Sequence, residues 1–303
     1  MRRTLYILAL VLLPCISGAQ ALPFTAVNHD PVSMAKGGTY MTETATSAYA
    51  AFGNPASLSF SEKHIAAALG FTMWQPASVG SNVLNAAGSC KLNEKLGVAL
   101  GLSYGMNPAY DIIDASGKVT GVFKPSDMQF NAGVSWLLLP YLSLGANLGY
   151  ASSKLAEGAS YGAVNADIFA MAKLDEMTFA AGIKGLGTSV ESASGTSFDL
   201  PTAITAGCGY GLSGEHYRVD LNVDAEYYMK GGAAVAAGVS CTLAEITTLR
   251  AGYRYGGKTV LPSFASMGFG LNLSGMQLDI AYLLAGKDSP MANTACLSLG
   301  YSF

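Results

Sequence analysis

The chain has 303 residues, half of them hydrophobic and only 12% charged, with a formal net charge of −3. So few charges cannot cover a soluble domain of this size, in which roughly a quarter of residues are charged. The faint acidity excludes nucleic acid as a partner, because gripping a phosphate backbone takes a basic face.

The first 21 residues read as a signal peptide, with Arg2 and Arg3, an apolar stretch from Leu5 to Leu13, and the small-x-small site Ala19-Gln20-Ala21. The apolar stretch is too short to span a membrane as a helix. Residues 22–62 show no alternation. They contain Gly37-Gly38, an Ala-rich run from Ala45 to Ala51 fit for a helical turn or two, and the turn signal Asn54-Pro55 followed by Ala56. Too polar for lipid and placed before the first strand, this segment is expected to sit inside or beneath a barrel as a hatch.

From residue 63 to 303 the period is two. In the clearest stretch Tyr217, Val219, Leu221, Val223, Ala225 and Tyr227 share one face, and Arg218, Asp220, Asn222, Asp224, Glu226 and Tyr228 the other. Similar segments recur near 64–75, 82–91, 94–105, 126–138, 141–153, 161–173, 176–187, 200–211, 216–229, 232–243, 246–256, 263–273, 276–284 and 293–303. Each has about the length that crosses a bilayer when tilted. The predicted fold is therefore all-β: a transmembrane antiparallel β-barrel of about 14 strands with a small N-terminal hatch. Tight turns such as Leu139-Pro140 and Ser274-Gly275 alternate with longer connections, as periplasmic turns alternate with outer loops. That phase puts both chain ends in the periplasm of a Gram-negative cell. The last strand ends on Tyr301 and Phe303, which resembles the terminal signal read by barrel-assembly machinery.

The alternation turns Asp167, Lys184, Arg218, Asp220, Asp224, Glu226, Arg250, Arg254 and Asp279 into the lumen. Their mixed signs argue against a filter for one ion. Two readings stay open: a salt-bridge network fixing the hatch to the wall, or a polar pore lining. Cys208 and Cys241 are expected to face lipid and Cys296 the lumen, and a disulfide is not expected. His64 and His216 are expected in the lumen, and no His pair has metal-ligand spacing. Ser33-Met34-Ala35-Lys36 matches Ser-x-x-Lys, but the accompanying elements of penicillin-recognising enzymes are missing. No cofactor, metal or catalytic role is assigned.

The Gly37-Gly38 segment, the Ala-rich stretch and Asn54-Pro55-Ala56 before a first strand resemble the PorV/PorQ family and the more distant FadL-type transporters. Residues 115–123, with Ser126-Asp127 after them, are similar to the PorQ side. The resemblance implies a fourteen-stranded barrel with an N-terminal hatch. For PorV-like members it implies a Bacteroidota protein that binds secreted cargo or secretion-system subunits in a type IX route. For FadL-like members it implies passage of small hydrophobic molecules such as fatty acids. Outer-membrane lipid is the remaining expected partner.

Overall fold

The computed structural model describes residues 20–44, 47–74, 80–192, 195–256 and 261–303, so most of the signal-peptide reading lies outside the described residues. Fourteen strands close into one antiparallel barrel. They are β1 (Ile65–Trp74), β2 (Ser81–Lys91), β3 (Leu96–Met106), β4 (Ser126–Leu139), β5 (Leu142–Ala156), β6 (Ala159–Leu174) and β7 (Met177–Gly187). The second half comprises β8 (Ala203–Ser213), β9 (Tyr217–Tyr228), β10 (Gly232–Leu243), β11 (Thr247–Tyr255), β12 (Phe264–Leu273), β13 (Met276–Leu284) and β14 (Thr294–Ser302). The boundaries follow those expected from the alternation to within a few residues.

β1 pairs with both β2 and β14, which seals the sheet and leaves no edge strand. Phe303 extends the seam: its carbonyl accepts from His64 N–H (2.7 Å) and Ile65 N–H (3.1 Å). Along β9, Leu221 and Val223 are exposed while Asn222 and Asp224 are buried. The outer face carries residues such as Leu69, Leu148 and Ile168, each at least 60% exposed. A belt of that kind is stable only against hydrocarbon, since every apolar Å² left in water forgoes about 25 cal/mol. Cys208 pairs in register with exposed Phe179 and Val223, and Cys241 with exposed Leu249, so both lie on this face. Cys296 is buried inside.

Tight turns follow β2, β4, β6, β8, β10 and β12. At Ser274-Gly275 both residues take positive φ (51° and 88°), the two-residue geometry that matches strand twist. Except for the short turns after β5 and β9, the opposite rim carries the longer connections. Two of these hold small hairpins, Tyr110–Ile113 with Val119–Phe123 and Val190–Glu191 with Ser197–Phe198. Residues 115–123, singled out in the sequence, form the tip and second strand of the first hairpin.

Two placements correct the sequence reading. Ala21 N–H bonds to Asp199 O (2.9 Å) and Leu22 packs among Ala151, Ala163, Val190 and Leu200, all at the long-loop rim. Phe303 lies at the short-turn rim, so residues 21 and 303 are at opposite ends of the barrel rather than on one side. The hatch is long enough to traverse the whole lumen, which the loop count could not reveal. His64 precedes β1 and is exposed at the short-turn rim instead of facing the lumen, because the strand begins one residue later.

Candidate functional site: the hatch and the lumen wall

Residues 22–62 thread the barrel from the long-loop rim to the short-turn rim. Asp30 caps a short helix, α1 (Pro31–Ala35), accepting from Val32 N–H (3.0 Å) and Ser33 N–H (3.3 Å), with Pro31 at its first position. The Ala-rich run gives a 3-10 turn over Ser47–Phe52. A second 3-10 turn, Pro55–Phe60, is capped by Asn54, whose side chain accepts from Ala56 N–H (3.0 Å) and donates to Met41 O (2.7 Å). The Asn-Pro-Ala motif is thus a cap that also ties two parts of the hatch together. Ser33 belongs to the α1 cap, its hydroxyl donating to Asp30 (2.9 Å), and Lys36 points elsewhere.

The wall is shaped to this segment by small inward residues. A Cβ on Gly252 would stand 2.1 Å from the Lys36 carbonyl carbon, and one on Gly145 2.4 Å from Ala56 N. Gly101 makes room for the Phe52 ring, Gly207 for Met41 and Gly268 for Ala35. Gly37 works in the other sense: at φ +73° its α-carbon meets the Tyr253 backbone, where a Cβ would come within 2.7 Å. Its N–H bonds to Ser266 Oγ (2.8 Å). Gly38 follows at φ +84°.

β9 holds the hatch through three alternate inward residues. Asn222 Oδ1 accepts from Lys36 Nζ (2.9 Å), and its Nδ2 donates to Thr42 Oγ1 (2.8 Å). One oxygen of Asp224 accepts both Tyr40 N–H (2.7 Å) and Met41 N–H (3.0 Å). Glu226 accepts from Tyr40 Oη (3.1 Å), Tyr228 Oη (3.1 Å) and Lys184 Nζ (2.5 Å), and pairs with Arg254. Lys36 also pairs with Glu43 within the hatch. A buried carboxylate is tolerable only with such a shell of donors.

The remaining charges fall into two groups. Asp167 stands at a break in the β6–β7 ladder, between Ala166 and Ile168, and accepts from Gly185 N–H (2.7 Å). There the carboxylate substitutes for a lost ladder bond. Arg250 pairs with Asp279 (2.8 Å) and Arg218 with Asp220 (2.8 Å), below the hatch. Thus Asp224, Glu226, Lys184 and Arg254 gather at the hatch, Asp167 is set into the wall, and the other four face the short-turn opening. The sequence reading missed Tyr40, Met41 and Asn222 as partners. Asn222 carried a signal in its inward position between Asp220 and Asp224, whereas backbone donors carry none.

The hatch separates two spaces. On the long-loop side a cavity of about 50 Å³ lies among Tyr40, Phe52, Phe169, Phe264, Asn131, Asn165, Lys184 and Glu226. On the short-turn side a vestibule of about 910 Å³ is lined by Lys36, Glu43, His216, Arg218, Asp220, Arg250 and Asp279. No group of three His, Cys, Asp or Glu among the described residues is placed to hold a metal ion.

No protein-family profile and no curated protein matches the sequence. Solved structures do match in fold. The toluene transporter TodX of Pseudomonas putida is 15% identical with a TM-score of 0.63, covering 95% of this chain and 99% of its own. The monoaromatic hydrocarbon channel CymD is 13% identical with a TM-score of 0.62, covering 94% and 99%. A FadL homologue of Pseudomonas aeruginosa is 12% identical with a TM-score of 0.55, covering 90% and 98%. The fold is therefore that of FadL-like outer-membrane barrels.

Proposed function

We propose that this chain is an outer-membrane channel for small hydrophobic molecules, gated by residues 22–62. The observation that carries the reading is the stoppered lumen: the hatch parts a partly aromatic cavity at the long-loop end from a wide polar vestibule at the other. A solute crosses only if the hatch shifts, and it is held by hydrogen bonds and packing that thermal motion can break one at a time. The full-length coverage of hydrocarbon-channel structures supports this reading over the one from the PorV/PorQ resemblance. Binding of secretion subunits or secreted cargo would call for a broad loop surface, and the ordered hairpins on that rim have strands of only two to five residues. Under this reading the long-loop rim faces outward, and Tyr301 and Phe303 at the closing seam are the assembly signal.

The test is entry of labelled toluene and of a fatty acid into cells whose own channels of this kind are deleted. Expression of this chain should speed entry of at least one of them severalfold over an empty vector. No acceleration, together with co-purification of a secretion complex from native membranes, would restore the secretion reading.

A further inference from the structure

Inside the barrel the two halves of the wall differ. On β7–β13 Lys184 and Arg254 pair with Glu226, Arg218 with Asp220 and Arg250 with Asp279. On β2–β6 the inward polar residues are mostly amides and serines, with Asp167 set into the wall, and amide oxygens such as those of Asn85, Asn147 and Asn165 are buried without a partner. The oxygens of Asn131 on β4 and Asn165 on β6 each lie 2.5 Å from the point a Cβ on Gly149 would occupy. Gly149 sits on β5 in register with both. The two oxygens are therefore at most twice that distance apart, packed over the glycine with no side chain between them. Asn131 and Asn165 are 3% and 6% exposed. The Asn131 amide N–H donates to Ala51 O (3.0 Å), which turns its oxygen toward Gly149, where it accepts a long 3.4 Å hydrogen bond from Gln129 Nε2. The Asn165 oxygen has no hydrogen-bond partner. All three amides line the cavity beside the hatch, with Phe52 and Phe169.

We propose that Asn131 and Asn165, converging over Gly149, form a binding site for the O–H or N–H donor of a small uncharged aromatic molecule. The proposal rests on the channel reading and names the class of solute that channel favours. Unmet buried acceptors are costly, and an empty site of this kind takes up water. A hydroxyl on a solute replaces that water's bonds, whereas a plain hydrocarbon displaces it and replaces nothing. An ionic solute is disfavoured, because Lys184 and Arg254 already share Glu226 and a newcomer must break a buried pair. The neighbouring phenylalanines suit a ring. The space, about 50 Å³, is smaller than the roughly 150 Å³ that holds benzene in a protein core. The donor end therefore docks first, and the ring follows only as Phe52 and the hatch give way.

Phenol and toluene have nearly the same shape and differ in the donor. The full-length protein, purified in detergent, is titrated with each by calorimetry. Phenol is expected to bind about tenfold more tightly, as one well-made hydrogen bond in a buried site allows. Gly149→Ala puts a methyl between the oxygens and should bring the ratio to about one. If that variant fails to fold, as judged by heat-modifiable gel mobility, Asn165→Leu serves the same end. Equal affinities in the unaltered protein, no phenol binding at millimolar concentration, or a preference that survives substitution overturns the proposal. Binding and entry fail separately. A protein that prefers phenol yet admits neither solute keeps the site and loses the channel; one that admits both alike with equal affinities keeps the channel and loses the site.

Discussion

Asp224→Leu is the substitution whose effect follows most directly from the geometry. One carboxylate oxygen, on a residue 1% exposed, takes two backbone N–H groups of the hatch, Tyr40 at 2.7 Å and Met41 at 3.0 Å. Hydrogen bonds to a charged group contribute about 1.5–3 kcal/mol each, so their joint loss weakens the docked hatch by roughly 3–6 kcal/mol. Leucine keeps the branched shape with larger ends, so the isosteric Asn variant serves as the steric control. If the docked and displaced hatch are in equilibrium, that difference raises the displaced population by about 10²–10⁴. Asp224→Asn keeps one oxygen that can accept both donors and gives up the charge, so it should fall well between. Single-channel conductance in planar bilayers reads the open population, and limited proteolysis reads exposure of residues 36–43. The order expected is Leu above Asn above the unaltered protein in both assays. Conductance and proteolysis unchanged in the Leu variant would show that the hatch is held by other means and refute the β9 account.

Three further outcomes follow. Glu226→Gln leaves Lys184 and Arg254 without their shared carboxylate; a loss of about 3–5 kcal/mol is expected as a lower unfolding temperature in detergent, whereas Arg218→Ala, whose partly exposed pair with Asp220 is worth under about 1 kcal/mol, should scarcely change it. Gly252→Val places side-chain atoms where the Lys36 and Gly37 backbone now lies; the barrel should still form, but with residues 30–43 open to protease, and full protection would contradict the imprint argument. At the hairpin tip the hydroxyl of Ser116, then the N–H groups of Lys118 and Ser116, hold the Asp114 carboxyl below its ordinary value of 3.8. A carboxylate with a lowered folded pKa stabilises its turn fully above the unfolded value and loses that as pH falls through the folded one. Amide exchange at Ser116 and Lys118 should therefore be slow at pH 6 relative to intrinsic rates and lose protection on acidification below 3.8; the same pH dependence after Asp114→Asn would contradict it.

The barrel was legible because lipid imposes a simple rule on one face. Along β9 every second side chain must suit hydrocarbon, and Leu221, Val223 and Tyr227 do. The rule weakens on β6, where Phe169 and Met171 point inward and pack with Tyr40, Met41 and Ala56 of the hatch while Ile168 faces out. Asn165 shares the inward face of Asp167, but alternation alone could not show that Phe169 and Met171 continue that face as packing for the hatch. The hatch itself was visible as a break in the pattern, but its path was not. Its contacts join residues nearly two hundred positions apart, such as Lys36 with Asn222, and they rest on backbone N–H groups that every residue has. The inward glycines were a real clue, since each marks a place where the wall leaves room for something. Which hatch residue fills each place depends on packing that only the closed barrel defines.

A hatch that gates the barrel should block entry when a reversible bond ties it to the wall. A Cβ on Gly209 would lie 3.1 Å from Cβ of Thr42, a few tenths of an ångström short of ordinary disulfide spacing. Thr42→Cys with Gly209→Cys therefore ties the hatch turn to β8 with little rearrangement. Toluene entry should stop when the pair is oxidised and return to the unaltered rate on adding a reductant. Entry at full rate through the oxidised barrel would contradict the account.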